Sequence, residues 1–404
     1  MKTIKDIQVL KEVRVLVRAD FNVPVKNGVV VDDFRIRKTL PTLEYLKKAG
    51  ARTILISHIE NNESSTPSAD PAAKTGEPTL APIIPVLKKL GIECDFVAKY
   101  SGALAASQAL TDGQFVLLEN LRVNPGEKKN DPKFAQELAT LADIYINDAF
   151  SVSHRAHASI VAITQFLPSY AGFLLESEVT NLSAAFHPER PFFFILGGAK
   201  FDTKVPLIEK FIQTADIVFV GGALANNFFK EKGWPLGTSL VSPQDFNLKR
   251  FFDNPKLLLP LDVVVQNSVG EKIVKTPDKL AADDTIMDAG PETVALLKKT
   301  IAGAKQILWN GPLGAYEKGF KQPTIDLAMA VADATKNSVS SGNSGNSGAK
   351  TIVGGADTLA TIAEIGEKNG ESIEKEFTFV STGGGAMLDF LANETLPGID
   401  ALNQ

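Results

Sequence analysis

Short runs of β-branched, aromatic and leucine side chains recur along this chain with almost no polar alternation, and they constrain its fold more than any other feature. In the first half they are Val13–Val17, Thr53–Ser57, Phe115–Leu118 and Ile144–Ile146. In the second half they are Phe192–Leu196, Ile217–Val220, Gln306–Trp309, Thr351–Val353 and Thr378–Ser381. A strand with one wet face alternates, whereas a strand covered on both faces reads as a continuous apolar run. Helical patterns fall between the runs. One is capped by Asp32 or Asp33, carries Arg35, Ile36, Leu40 and Leu43, and ends at Gly50; Pro132–Ala142 and Thr324–Ala334 are similar. Strands alternating with helices imply parallel sheets joined by right-handed crossovers.

With 404 residues and about 100–200 residues per domain, two domains are expected. The reading is α/β: two doubly wound, Rossmann-like parallel-sheet domains joined by a hinge helix. The segments are 1–172, a hinge over 173–191, a second domain over 192–390, and a terminal stretch over 391–404 that packs back toward the first domain. The hinge rests on GFLLESEVTNLSAAFHPERP, a long helical pattern with a proline-bracketed exit. Glu60–Pro78 and Asn337–Gly348, the latter containing SGNSGNSG, read as surface loops.

Several function classes are excluded at this level. Cys94 is the only cysteine, so no internal disulfide or CxxC metal site exists, and a reducing, cytoplasmic setting is expected. As a free cysteine it is expected to pack as a small hydrophobe rather than act as a nucleophile. The net charge of −5 does not point to nucleic acid. No apolar run approaches the roughly 20 residues of a membrane span, and charges interrupt every apolar stretch of the N-terminal twenty residues, unlike a signal peptide.

In open α/β sheets ligands bind beyond the carboxyl ends of the strands. In the first half those ends carry Arg18, Asp20 and Asn22; then His58; then Glu119, Asn120 and Arg122; then Asn147, Asp148, His154, Arg155 and His157, with Arg35 near a helix start. Four arginines and up to three histidines at one sheet edge suit a multiply charged anion, because guanidinium forks match carboxylate and phosphate oxygens. Asp20 and Asn22 either touch the ligand or fix the arginines by hydrogen bonds.

The second half ends its strands in glycine. Gly197-Gly198-Ala199-Lys200, Gly221-Gly222-Ala223, Asn310-Gly311-Pro312, Gly354-Gly355-Ala356-Asp357 and Thr382-Gly383-Gly384-Gly385 each follow a strand. Any one could be a tight turn; together, with helix N-termini behind them, they argue for nucleotide phosphates. Neither GxxxxGK[ST] nor GxGxxG occurs, which speaks against a standard P-loop and against a dehydrogenase fingerprint. Lys200 and Lys204 share a helical face. Asp357, followed by Thr358, fits either a Mg²⁺ carboxylate or a helix cap.

These stretches together resemble phosphoglycerate kinases. Arg18–Pro24 resembles that family's RxDFNVP, Glu119–Arg122 its ENLR, Asn147–Phe150 with His154–His157 its NDAF…HRAH, and Gly197–Lys204 its GGAKxxxK. Trp309–Pro312 with Glu317 resembles WNGPxGxxE, Gly354–Thr358 resembles GGGDT, and Ser381–Ala386 resembles STGGGA. The order is preserved from Val13 to Gly398. Two departures stand out. After Ser57-His58 the family usually continues Leu-Gly-Arg-Pro; here Ile59-Glu60-Asn61-Asn62 removes an arginine and adds an acid. Ala223 and Ala356 stand where a further glycine is common, which narrows a nucleotide pocket.

The resemblance implies reversible, Mg²⁺-dependent phosphoryl transfer between 1,3-bisphosphoglycerate with ADP and 3-phosphoglycerate with ATP, in a cytoplasmic monomer. It implies that Arg18, Asp20, Asn22, Arg35, His58, Arg122 and Arg155 hold the glycerate, with Arg35 nearest the transferred group. Lys200 would neutralise that group, with Gly384 and Gly385 donating N–H groups. Gly198, Ala199, Lys204, Gly222, Asn310, Pro312, Glu317, Gly355, Asp357 and Thr358 would hold the nucleotide, and Asp357 the Mg²⁺.

Overall fold

The structure is a computed structural model that describes residues 1–60, 78–336, 348–369 and 373–404. Asn61, Asn62, most of the 60–78 loop and all of the SGNSGNSG stretch but its last glycine lie outside the described residues. By internal contacts the chain divides into Met1–Thr180 with Asn393–Gln404, and Asn181–Ala392.

In the first unit, β1 (Arg14–Ala19) is followed by a short hairpin, β2 (Val25–Lys26) and β3 (Val29–Val30). Then come α1 (Phe34–Lys48), β4 (Arg52–Ile56), α2 (Ile83–Lys89), β5 (Cys94–Val97), α3 (Ala103–Ala109), β6 (Phe115–Leu118), α4 (Pro132–Ala139), β7 (Ile144–Asp148) and β8 (Ser169–Ala171). The sheet order is β5-β6-β4-β1-β7-β8, and every pairing is parallel. The chain leaves β1 toward β4 and later returns to β7 on its other side. That is the switch point at which such sheets open a crevice. Val15, Leu16 and Val17 are fully buried, as the unbroken apolar run requires.

α5 (Phe173–Ser183) contains the division between the units. The second unit continues with β9 (Phe192–Leu196), α6 (Phe201–Thr214), β10 (Ile217–Val220), α7 (Gly222–Glu231), β11 (Leu257–Leu258), β12 (Val263–Gln266), β13 (Lys272–Lys275), β14 (Thr285–Ala289), α8 (Pro291–Ile301), β15 (Gln306–Asn310), α9 (Gln322–Lys336), β16 (Lys350–Gly354), α10 (Ala356–Asn369), β17 (Phe379–Val380) and α11 (Gly385–Asn393). Its main sheet, β11-β10-β9-β15-β16-β17, is again parallel, with its switch between β9 and β15. All five residues of β9 are buried. Phe192 and Phe194 pack on Phe211 of α6, with ring centroids 6.0 and 4.5 Å apart. The final helix, α12 (Pro397–Leu402), groups with the first unit, where Gly398 N–H donates to the Ser153 carbonyl at 2.8 Å.

The structure amends the sequence reading in detail. β5, β8 and β11 are edge strands of four, three and two residues, too short to show a continuous apolar run. The stretch from Val263 to Ala289 forms a separate antiparallel sheet, β13-β12-β14. Its β13, Lys-Ile-Val-Lys, is largely exposed, so it lacks the run of a doubly covered strand. Arg18, Asn147 and Asp148 are strand residues rather than post-strand residues. Asn147 meets its burial by accepting from Ala149 N–H at 3.1 Å and donating to Ser153 Oγ at 3.2 Å. Cys94 is partly buried, and burial pushes its thiol up to about 12, which leaves it un-ionised.

Candidate active site

At the switch point of the first unit, cationic side chains gather, and part of their hydrogen-bonding capacity is spent on neighbouring carboxylates, hydroxyls and carbonyls. Arg18 is wholly buried. Its Nη2 lies 2.9 Å from His58 Nδ1, its Nε donates to Ser159 Oγ at 3.1 Å, and its Nη1 donates to the Ala19 carbonyl at 2.6 Å. Burial holds its pKa below the usual arginine value, opposed by the negative charge of Glu127. Ser159 Oγ donates in turn to Glu127 Oε1 at 2.7 Å. Arg18 is therefore a packed support for His58 in this arrangement.

His58 is also buried. Desolvation and the neighbouring Arg18, Arg122 and Arg35 push its pKa well below the ordinary value, so the ring is neutral. With Nδ1 accepting from Arg18, the proton sits on Nε2, which has no partner among the described residues. Arg35, from the first turn of α1, reaches Asp20 Oδ1 at 3.4 Å, the Asn22 carbonyl at 3.4 Å and Ser151 Oγ at 3.5 Å. Asp20 is fully buried and its Oδ2 accepts nothing among the described residues. Arg122, in the turn after β6, is 7% exposed at its side chain and pairs through Nη1 with Glu60 Oε1 at 2.7 Å. Its Nε and Nη2 are buried without partners among the described residues. Arg155 is half exposed and lies 3.8 Å from the same Glu60 oxygen. His157 sits 3.7 Å from Glu127, and burial beside Arg18 pushes its pKa down to about 4. The pattern is a small cleft of unspent donors (Arg122, His58) with one unspent acceptor (Asp20), as a phosphorylated hydroxy acid would need.

The second unit presents a cavity of about 340 Å³ at its own switch point, lined by Gly198, Ala199, Gly222, Pro312, Glu317 and Asp357 on the polar side. Phe229, Leu240, Val263, Ile286 and Leu313 form an apolar pocket beside them, so β12 and β14 of the antiparallel sheet are its wall. The size and the apolar-plus-polar lining suit a nucleotide-sized ligand. Two glycines are sterically obligatory. Gly311 has φ +97°, and a Cβ there would lie 2.4 Å from the Gly197 carbonyl oxygen. Gly222 has φ +60°, and its Cβ would lie 2.6 Å from Gly198 N. The loops thus touch backbone to backbone, with Gly198 N–H donating to the Pro312 carbonyl at 2.8 Å.

Other expected residues sit beneath or beside the cavity rather than on its lining. Lys204 is buried, with Nζ bonded to the Gly197 carbonyl. Burial pushes its ammonium down to about 8, while Asp357 pulls upward and Lys200 downward. Thr358 Oγ1 accepts from Gly311 N–H at 2.9 Å and ties α10 to the β15 loop. Asn310 is buried against Met387, and Gly355 lies beside Asn310 and Thr358. Lys200 is exposed at the N-cap of α6, and Gly385 is exposed at the start of α11. Gly384, just before it, has nothing within 4 Å of where a Cβ would point.

A family model described as phosphoglycerate kinase matches residues 4–394. The chain belongs to the phosphoglycerate kinase family. It is 40% identical to the phosphoglycerate kinase of Thermosipho africanus (strain TCF52B), over 99% of this chain and 97% of that one. It is 39% identical to that of Dictyoglomus turgidum (strain DSM 6724 / Z-1310), over 99% and 98%. Among solved structures, phosphoglycerate kinase from Coxiella burnetii is similar at a TM-score of 0.79 and 34% identity, covering 100% of this chain and 98% of that one.

Four participants in this geometry have no motif-level signature in the sequence. Glu127 and Ser159 stand behind Arg18, Ser151 touches Arg35, and Asp288 lines the nucleotide cavity with its carboxyl pushed up to about 8 by burial. Glu127 and Ser159 come from loops and Ser151 from a one-turn 3₁₀ helix, where no period marks a residue's direction. Asp288 is an acid directly after Ile286 and Met287 in β14, and that incongruity is the one signal that could have pointed to it.

Proposed function

We propose that this chain carries out reversible phosphoryl transfer between ATP and the carboxylate of 3-phosphoglycerate, yielding ADP and 1,3-bisphosphoglycerate. The observation that carries the reading is the unspent donor set of the first unit in a chain whose second unit holds a glycine-lined cavity. One is fitted to a compact anion and the other to a polyphosphate. In the ATP-consuming direction a carboxylate oxygen attacks the γ-phosphorus, the bridging P–O bond breaks, and ADP leaves with the electron pair. The nucleophile is ionised at neutral pH, so no base is required. The neutrality of His58 fits this, since it has a donor to offer and no proton to take.

In this reading Arg122, Arg155 and His58 hold the phosphate and carboxylate of the acid, while Asp20 accepts from its hydroxyl. Arg35 stands nearest the transferred group. Lys200 and the N–H groups at Gly384 and Gly385 meet the charge that develops on it. Among the described residues no cluster of three or more acidic, His or Cys side chains could cage a metal. One of the carboxylates at the cavity, Asp357, nevertheless fits the way Mg²⁺ is shared between one or two carboxylates and substrate phosphates. The ion, when bound, supplies positive charge to the polyphosphate. A monomer in the cytoplasm completes the reading. No described helix is long and apolar enough to cross a membrane.

The test is a coupled assay with 3-phosphoglycerate, ATP and Mg²⁺, run beside Arg35→Ala. Turnover is expected to fall about 10²–10³-fold in the variant, the usual cost of removing one charge-stabilising donor. ADP affinity, measured by calorimetry, should be unchanged. A matching loss of ADP binding overturns the assignment of Arg35 to the acid substrate. Glu60 at the anion cleft favours one second reading, transfer to a different phosphorylated acid, and a panel of such acids in the same assay decides between them.

A further inference from the structure

The cleft of the first unit already contains a carboxylate. Glu60 Oε1 lies 2.7 Å from Arg122 Nη1 and 3.8 Å from Arg155 Nη1, which come from two different loops, after β6 and after β7. Its backbone N–H donates to Asn22 Oδ1 at 3.0 Å, anchoring the residue at the cleft edge. Half of the side chain remains exposed. The contact satisfies little of Arg122. The guanidinium is nine-tenths buried, yet its Nε and Nη2 have no partners among the described residues. One carboxylate oxygen on one N–H leaves the fork half used. A phosphate brings three oxygens and up to twice the charge, and it can meet the remaining N–H groups and the unpartnered His58 Nε2 at once.

We infer that Glu60 is an internal occupant of the anion cradle, holding Arg122 and Arg155 together in the free protein, and that the phosphorylated acid binds by displacing it. The inference rests on reading this cleft as the acid-substrate site. Half-exposed Glu60 needs only a side-chain rotation to leave. Burial pushes its carboxyl up, but the Arg122 hydrogen bond and the charges of Arg122 and Arg155 outweigh that and hold it below the usual carboxylate range. The occupant is therefore ionised throughout the neutral range and its competition is constant. Glu60 sets the affinity for the acid without touching the reacting atoms.

The experiment is calorimetric titration of the full chain with 3-phosphoglycerate and, separately, with inorganic phosphate. Wild type is compared with Glu60→Gln, which removes the charge, and Glu60→Gly, which removes the occupant. Both variants are expected to bind each anion about three- to tenfold more tightly, the affinity that returns when a competing closed state is removed. KM for 3-phosphoglycerate should fall by the same factor, with kcat and KM for ATP held. A purely structural Glu60 would instead lower kcat or thermal stability and leave the anion Kd unchanged or weaker, and that result overturns the inference. If wild type binds and turns over 3-phosphoglycerate but neither variant tightens, the inference fails and the functional reading stands. If wild type ignores 3-phosphoglycerate yet both variants tighten on inorganic phosphate, the functional reading fails and the cradle occupant stands.

Discussion

The two units use the same sheet topology and reach their ligands by opposite means. In the second unit the strands hand over to helices almost at once. β9 ends at Leu196 and α6 begins at Phe201; β10 ends at Val220 and α7 begins at Gly222; β16 ends at Gly354 and α10 begins at Ala356. Such short loops leave room for little beyond glycine and aim helix N-termini at whatever lies beyond the sheet. In the first unit the corresponding loops are long. β1 ends at Ala19 and α1 begins at Phe34; β6 ends at Leu118 and α4 begins at Pro132; β7 ends at Asp148 and α5 begins at Phe173. These loops deliver side chains, and buried neighbours lock them. A compact anion of fixed shape is best met by rigid forks. A polyphosphate is best met by a row of backbone N–H groups with diffuse positive potential behind them.

The sharpest break of this contrast is a single methyl group. Gly311→Ala sets a Cβ 2.4 Å from the Gly197 carbonyl at a left-handed φ. The loop must shift, so we expect a stability loss of about 1–3 kcal/mol together with at least a tenfold weaker ADP Kd by calorimetry. 3-Phosphoglycerate binding should be unaffected. Gly384→Ala is the uncrowded counterpart: its φ of +52° is also left-handed, but its Cβ meets no atom within 4 Å. Stability should fall by about 1–2 kcal/mol from the backbone conformation alone, with ADP binding kept, while turnover falls if a phosphoryl group passes through that space. A full-activity Gly384→Ala, or a Gly311→Ala that weakens the acid instead of ADP, would break the division of labour between the units.

Much of this was legible in the sequence, for definable reasons. The parallel strands announce themselves because burial on both faces removes polar alternation. The glycine loops and arginine positions are legible because ligands in such sheets have one place to bind. β13 is invisible to that logic, being largely exposed. The direction of Glu60 is invisible too: the sequence shows an acid near a basic cleft, and only the fold shows that it bonds the cleft's own arginine. Arg18 reads as a ligand-facing cation, and the structure seals it behind His58 with Ser159 and Glu127. No local pattern distinguishes an arginine that binds from one that props.

A milder test concerns charge on the backbone-built side. Lys204 is buried under the loops, and its ammonium is pushed down to about 8. Above that pH the free protein carries a neutral amine there, whereas a bound polyphosphate favours the charged form. Nucleotide affinity should therefore fall as pH rises from about 8 toward 10, and binding at pH 9 should take up a proton. Calorimetry in buffers of different ionisation enthalpy reads that proton directly. Acid-substrate affinity should stay flat up to pH 9, since arginines do not titrate there and His58 and His157 are already neutral below it. A proton uptake independent of pH between 7 and 9 would remove Lys204 from the nucleotide's charge.

The smallest effect belongs to a carboxylate that no arginine holds. Asp148, at the end of β7, is fully buried, and its Oδ1 accepts from Leu174 N–H at 2.8 Å and Leu175 N–H at 3.3 Å, capping α5. Burial still pushes its carboxyl up to about 7, against a hydrogen bond from the Thr42 side chain and those two N–H groups. Between the unfolded value near 3.8 and about 7 the folded chain binds more protons than the unfolded one. The stability this group contributes is therefore complete at low pH and is lost as pH rises through 7. Asp148→Asn keeps an acceptor for both N–H groups and does not titrate. Its Tm should match that of wild type below about pH 4, exceed it by a growing margin up to about pH 7 and by a constant margin above that, with each kcal/mol worth about 2–4 °C in a domain of this size. Turnover need not change, because Asp148 faces the base of a helix and not the donors of the cleft. A Tm difference that is constant with pH would mean Asp148 is ionised throughout. The first unit would then be tolerating a buried charge held by two backbone N–H groups and the Thr42 hydroxyl, close to the device that the contrast between the units reserves for the second.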